Sequence, residues 1–269
     1  MQVMAPPVDG GEHSIVSHYN IDRSLNSTRC VLVSWVPCSH GSEFLSVHAN
    51  GQILRHHRIT GNSSDKELLN RSEKQSPSTE VAFLSHGRVT AAALSPDGVH
   101  LAVATTDRGM MYIVDVSTGH VVGGFRSFFG NFCCCTWSPD GKYIAAGGED
   151  DLIAIYKIGS NHVLAHCQGH TSWPTCCTFE YCSDMRLRLL SVGQDCRLCI
   201  WEINLEKEAE VPTQQQYFVT TVNNSDMNRI TPVFCEKVHI DPLSSVALVS
   251  DAYLVICAYD GTFKAYATE

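Results

Sequence analysis

Short apolar runs alternate along most of the chain with clusters of Gly, Pro, Asp, Asn and Ser. Runs of this length, bounded by turn residues, predict β-strands rather than helices. No stretch of useful length carries a helical period. The strongest regularity is an internal repeat: Ser95-Pro96-Asp97-Gly98 returns as Ser138-Pro139-Asp140-Gly141, 43 residues later. An apolar run precedes each copy (residues 89–94 and 132–137), and another follows it (residues 101–104 and 143–146). Pro presets φ and Gly accepts a positive φ, so each copy reads strand, tight turn, strand.

A second turn follows each pair, at Thr106-Asp107-Arg108-Gly109, Gly148-Glu149-Asp150-Asp151 and Gly193-Gln194-Asp195. Third strands come next at residues 111–114, 152–156 and 198–201, and fourth strands at residues 121–125 and 163–167. Four short strands in a unit of about 40 residues describe one blade of a β-propeller. Five such units are expected, over residues 29–58, 81–125, 127–167, 170–203 and 234–268, each a four-stranded antiparallel sheet. Residues 1–28 read as a partly disordered extension. Polar inserts fall near residues 60–80 and 205–232, the second with Gln214-Gln215-Gln216.

Composition narrows the functional classes. The chain has 269 residues, 44% of them hydrophobic and 17% charged, which supports a sizeable core. The net charge of −9 disfavours binding to phosphate backbones, so no nucleic-acid partner is expected. No apolar run is long enough to span a bilayer, and residues 1–13 lack the basic and apolar segments of a signal peptide. No membrane partner is expected, and a cytoplasmic or nuclear location is. Many of the 13 cysteines lie inside apolar strands, as in Cys133-Cys134-Cys135 and Cys176-Cys177. Neighbouring strand residues point to opposite faces, so these clusters do not converge as metal cages. Cys196-x-x-Cys199 has ligand-like spacing but no second pair, and a plain strand is the expected reading. No metal or other cofactor is expected.

One polar constellation stands out. Gly169-His170, then Asp195, then Trp201 is the fullest WD-repeat signature in the chain. His170 precedes the first strand of its blade and can meet Asp195 in the tight turn. Ser191 and the Trp201 indole extend the network. A His/Asp/Ser set looks catalytic, but this spacing suits a structural network that rigidifies a blade. The preceding blade has Tyr156 in place of the Trp and Ala146 in place of the hydroxyl. An enzyme built on a Cys/His nucleophile, or on a His166-Cys167-His170 metal cluster, is the alternative of a different class; no catalytic residue is assigned.

Several segments together resemble one particular WD-repeat family. They are Ser127-Phe128-Phe129-Gly130, the run from Cys135-Thr136-Trp137 to Ile144, Gly147-Gly148-Glu149-Asp150-Asp151-Leu152, Gly169-His170-Thr171-Ser172-Trp173 and Ser191-Val192-Gly193-Gln194-Asp195. Ile21-Asp22-Arg23, Ser34-Trp35-Val36-Pro37 and Phe234-Cys235-Glu236-Lys237-Val238-His239 fit it as well. The family includes catabolite repression protein creC, dystrophia myotonica WD repeat-containing protein and WD repeat-containing protein 20. The resemblance implies a non-catalytic regulatory subunit that binds and activates a ubiquitin-specific protease, sometimes together with a second WD-repeat protein. It also implies a seven-bladed propeller, of which this chain would begin at the third blade, leaving an open arc or an imperfect ring. A generic WD40 scaffold unrelated to ubiquitin is the competing reading. Phe128, Phe129 and Trp173 sit in loops that enter the first strands of adjacent blades, and the matching positions in the resembled family contact the partner. They are the expected partner-binding residues; the opposite expectation is that these rings pack between blades as core.

Overall fold

The computed structural model describes residues 2–4, 15–18, 29–37, 39–57, 78–159, 163–181, 186–204, 228–250 and 253–267. They fall into two compact units, Met1–Ser85 and His86–Glu269. All regular elements among them are strands, as the alternating apolar pattern predicts.

The first unit holds a two-stranded pair, β1 (Gln2–Met4) and β2 (Ile15–His18), and one blade. The blade is a four-stranded antiparallel sheet of β3 (Cys30–Trp35), β4 (Glu43–His48), β5 (Gln52–His57) and β6 (Ser78–Phe83). β6 corrects two expected boundaries. Ser78–Phe83 closes the first blade instead of lying in an insert and opening the second, because its residues pair in register with β5. The remainder of that insert, and most of residues 1–28, lie outside the described residues.

The second unit contains four blades. The first comprises β7 (Val89–Leu94), β8 (His100–Thr105), β9 (Met110–Asp115) and β10 (Val121–Arg126); the next β11 (Phe132–Trp137), β12 (Tyr143–Gly148), β13 (Leu152–Lys157) and β14 (Val163–Gln168). The fourth blade of the chain comprises β15 (Pro174–Tyr181), β16 (Arg186–Gly193) and β17 (Arg197–Asn204). β18 (Arg229–Ile230) adds a short parallel strand to β14, so the third blade departs from the expected all-antiparallel pattern. β19 (Phe234–Lys237) pairs with β17, and so completes the fourth blade rather than starting the fifth. Among the described residues the fifth blade therefore shows three strands, β20 (Leu243–Ser250), β21 (Tyr253–Ala258) and β22 (Phe263–Ala267), where four are expected.

Both Ser-Pro-Asp-Gly copies fold identically. Gly98 and Gly141 take φ of 73° and 70°, where an L side chain would be strained. Ser138 Oγ donates to Asp140 at 2.6 Å and accepts from the Tyr143 N–H at 2.9 Å; Ser95, Asp97 and His100 repeat the arrangement. The first strands β7, β11, β15 and β20 pack side by side, and the core lies between successive sheets. Ile113, Phe125, Phe132, Ile144 and Tyr156 fill one layer, Tyr143, Ile155, Phe179, Leu189 and Trp201 the next, and Leu190, Leu198, Leu254 and Ile256 the last. Each layer needs a sheet on both sides, so neighbouring blades stabilise one another.

The first blade hides a polar set that the sequence pattern does not announce. Ser46 Oγ lies 3.0 Å from His48 Nε2 and 2.8 Å from His56 Nε2, all three buried. By register His56 stands where Trp201 stands in the fourth blade, since it pairs with Phe44 as Trp201 pairs with Leu189. Phe44 stacks on the His56 ring at 4.4 Å. Burial pushes the His56 imidazole down to about 4, and His48 and His57 act in the same direction. His56 is thus neutral when folded but takes up a proton when unfolded below its ordinary pKa of about 6.5. Stability is full above about pH 6.5 and is lost as pH falls toward 4. The expected loss is roughly 1–2 kcal/mol by urea unfolding, and His56→Gln should remove that difference. Equal pH dependence in wild type and variant would contradict this origin.

Candidate functional site

Two equivalent turns of adjacent blades are built around different chemistry. In the fourth blade His170 Nδ1 lies 3.0 Å from Asp195 Oδ2, and its Nε2 lies 2.8 Å from Ser191 Oγ. The Trp201 indole N–H donates to the same Ser191 oxygen at 3.0 Å. Asp195 also accepts the Thr171 and Arg197 backbone N–H groups, at 2.9 and 3.1 Å. Burial raises the Asp195 carboxyl, but the bonds from His170, Thr171 and Arg197 outweigh it and hold the group below its ordinary range. The His170 side chain is fully buried and Asp195 nearly so. The set therefore brings together His170, Ser191, Asp195 and Trp201 in one closed, buried network. Because both His170 ring nitrogens are engaged, His170 does not join His166 and Cys167 as a third ligand.

The third blade keeps the carboxylate of the network, Asp150, and replaces its other three members. Strand register sets Pro174 level with Phe132, since each opposes the last glycine of the second strand. Counting back, Phe128 takes the place of His170, Phe129 that of Thr171, and Asn131 that of Trp173. Phe129 and Trp173 thus stand two positions apart in register, although both lie in loops that enter the first strands of adjacent blades. Ala146, level with Ser191, offers no hydroxyl, and Tyr156 turns its hydroxyl to the Arg126 carbonyl. No inward partner draws the Phe128 side chain into the blade. It stays 53% exposed, Phe129 is 70% exposed, and Trp173 in the next loop is 42% exposed. The expectation of rings packed as core does not describe these positions.

The loops that carry them are nonetheless fixed. Ser127 N–H donates to the Gly109 carbonyl at 2.9 Å and Ser127 Oγ to the Phe129 carbonyl at 2.8 Å. Glu149 Oε2 accepts both the backbone and side-chain N–H of Asn131, at 3.0 and 3.1 Å. Gly130 has φ of 67°, and a Cβ there would lie 2.7 Å from Glu149 Oε2, so only glycine fits. Asp150, level with Asp195, has no histidine; burial raises its carboxyl even though the Leu152 and Phe129 backbones bond to it. Trp173 is held by its carbonyl, which accepts the Gln194 N–H at 3.0 Å. Pro174 beside it packs against Gly147 of the third blade. The turn at residues 147–150 therefore touches both aromatic-bearing loops, which leave their sheets at the same end.

Further residues at that end escaped the sequence reading. His239 and Asp260 occupy the His170 and Asp195 positions of the fifth blade, but at 4.0 Å, with His239 Nε2 instead 3.0 Å from Thr262 Oγ1. Among the described residues, His239, Asp241 and Asp260 are the one group of three whose ligand atoms lie within 4.8 Å of one another. Their backbone and hydroxyl hydrogen bonds account for the clustering as a loosened form of the same turn.

Comparison with known proteins follows this geometry. Residues 119–157 and 161–202 match the family described as WD domain, G-beta repeat. Each match starts at the outer strand of one blade and runs through three strands of the next. UBP9-binding protein bun62 of Schizosaccharomyces pombe is 31% identical over 239 residues, covering 79% of this chain; the chain spans only 43% of that protein's length. The WD40 beta propeller domain of Doa1 superposes with a TM-score of 0.62 at 16% identity, covering 90% of this chain and 66% of that one. The computationally designed Ika8 protein superposes with a TM-score of 0.58 at 14% identity, covering 89% and 58%. The chain thus carries WD40 repeats on an all-β, WD40-type β-propeller fold of five recognisable blades.

Proposed function

We propose that the chain is a non-catalytic WD40 scaffold that binds a ubiquitin-specific protease through Phe128, Phe129 and Trp173 and raises its activity. The observation that carries the proposal is the display of three large aromatic side chains on hydrogen-bonded loops of adjacent blades. Exposed aromatics on a rigid support lose little conformational freedom on binding and add large buried area, which is how interface anchors work. The relative whose name says that it binds UBP9, together with the resemblance to deubiquitinase-regulating WD proteins, favours a ubiquitin-specific protease as the partner. A second WD-repeat protein would join the same assembly. The acidic charge argues against nucleic acid as a partner, and a cytoplasmic or nuclear location suits a protein-binding scaffold.

The test uses purified components. The chain immobilised on a sensor should bind a purified ubiquitin-specific protease saturably and should speed its cleavage of a ubiquitin–fluorophore conjugate. Saturable binding to protein assemblies without any ubiquitin-specific protease would favour the generic scaffold instead.

A further inference from the structure

A second chemistry sits behind the Trp173 loop. Cys199 on β17 and Cys235 on β19 are directly opposed, with both thiols free and their sulfurs 3.1 Å apart. The Val238 N–H donates to the Cys196 carbonyl, which makes 196/238 a hydrogen-bonded pair. Alternation along an antiparallel ladder then places Cys199 and Cys235 at a non-hydrogen-bonded pair, where Cα atoms approach to about 4.5 Å. That separation lies inside the range disulfides require, and closing to a bond of about 2.05 Å asks for about 1 Å of sulfur movement.

The two thiols are not equivalent. Cys199 is fully buried, and burial together with its contact to Cys235 raises its thiol. Cys235 is partly accessible, and the Arg197 guanidinium reaches its sulfur at 3.7 Å. The other close pair, Cys134 and Cys177 at 3.8 Å, is buried on both sides in the apolar layer between blades.

We propose that Cys199 and Cys235 form a peroxide-responsive dithiol that staples the outer strand of the fourth blade. The Cys235 thiolate attacks one oxygen of a hydroperoxide such as H2O2, the O–O bond breaks, and the hydroxide released takes the thiol's proton as water. The Cys199 sulfur then attacks the sulfenyl sulfur. The S–S bond forms, the S–O bond breaks, and the Cys199 proton leaves with that oxygen as a second water. Two thiols are oxidised and one peroxide is reduced. The product ties β19 to β17 against His170, whose Nδ1 lies 3.9 Å from Cys199 Sγ, and against the Gly169 carbonyl, 3.7 Å from Cys235 Sγ. β19 leads directly to the loop that holds Ile240 at 86% exposure.

The experiment is non-reducing peptide mapping of the full chain after H2O2 treatment and alkylation, with melting followed in parallel. The expected result is one cross-linked peptide joining Cys199 to Cys235, lighter by two hydrogens and reversed by dithiothreitol, with a melting temperature several degrees higher. Cys235→Ser should lose both effects; because this side chain is only partly buried, the variant should fold. Arg197→Gln should slow cross-linking several-fold while leaving the final product unchanged. Unlinked thiols after peroxide, a Cys134–Cys177 link instead, conversion of Cys235 to a sulfinic acid, or a melting shift that persists in Cys235→Ser would each overturn the proposal.

Discussion

Phe129→Ala and Trp173→Ala should each weaken binding to a ubiquitin-specific protease by about 2 kcal/mol or more, a loss of at least roughly 30-fold in affinity. The melting temperature should hardly move. Phe129 is largely exposed and Trp173 partly so in the free chain, and neither belongs to the buried core. Their loops are held by backbone bonds from Ser127, Asn131 and Gln194 that do not involve the rings. Phe128→Ala should behave likewise, its ring being 53% exposed. Calorimetric titration paired with thermal melting separates the two quantities. Variants that bind as wild type does, or that lose binding only because they unfold, would remove these residues from the interface.

Asp195→Ala should instead act on stability, costing about 1–3 kcal/mol. The substitution strands the buried His170 Nδ1–H and removes the acceptor for the Thr171 and Arg197 backbone groups. A carboxyl held below its ordinary pKa contributes stability above about pH 3.9, and that contribution is lost as pH falls through the folded value. The wild type should therefore lose part of its advantage over Asp195→Ala in acid. Trp201→Phe should cost less, because it deletes the indole donor to Ser191 while most of the packing volume remains. Asp195→Ala at wild-type melting temperature but without partner binding would assign this turn a direct binding role.

These two predictions rest on features of unequal visibility in the sequence. The inner strands were legible because β8 and β12 are apolar along most of their length, as strands covered on both faces must be. His170, Ser191, Asp195 and Trp201 were legible because a tight turn, a strand hydroxyl and an indole recur at fixed spacing. Outer strands were harder. Ser78–Phe83 and Phe234–Lys237 are largely exposed and carry no strong alternation, so nothing in them says which sheet they edge. Chain order suggested the following blade, whereas ladder register places both in the preceding one. The Ser46–His56 pair was invisible because it keeps the placement of the Ser191–Trp201 bond with an imidazole in place of the indole. The exposure of Phe128 was hidden for a related reason. It follows from register, which sets a phenylalanine ring, unable to hydrogen-bond, where His170 stands in the next blade.

The central claim is tested most directly by titrating the chain into a purified ubiquitin-specific protease and following release of a fluorophore from its ubiquitin conjugate. The account predicts a rate that rises to a plateau with wild-type chain, and a curve displaced to at least roughly 30-fold higher concentration with Phe129→Ala or Trp173→Ala. A rate unchanged by wild-type chain at saturating concentration, or identical curves for wild type and both variants, would contradict it.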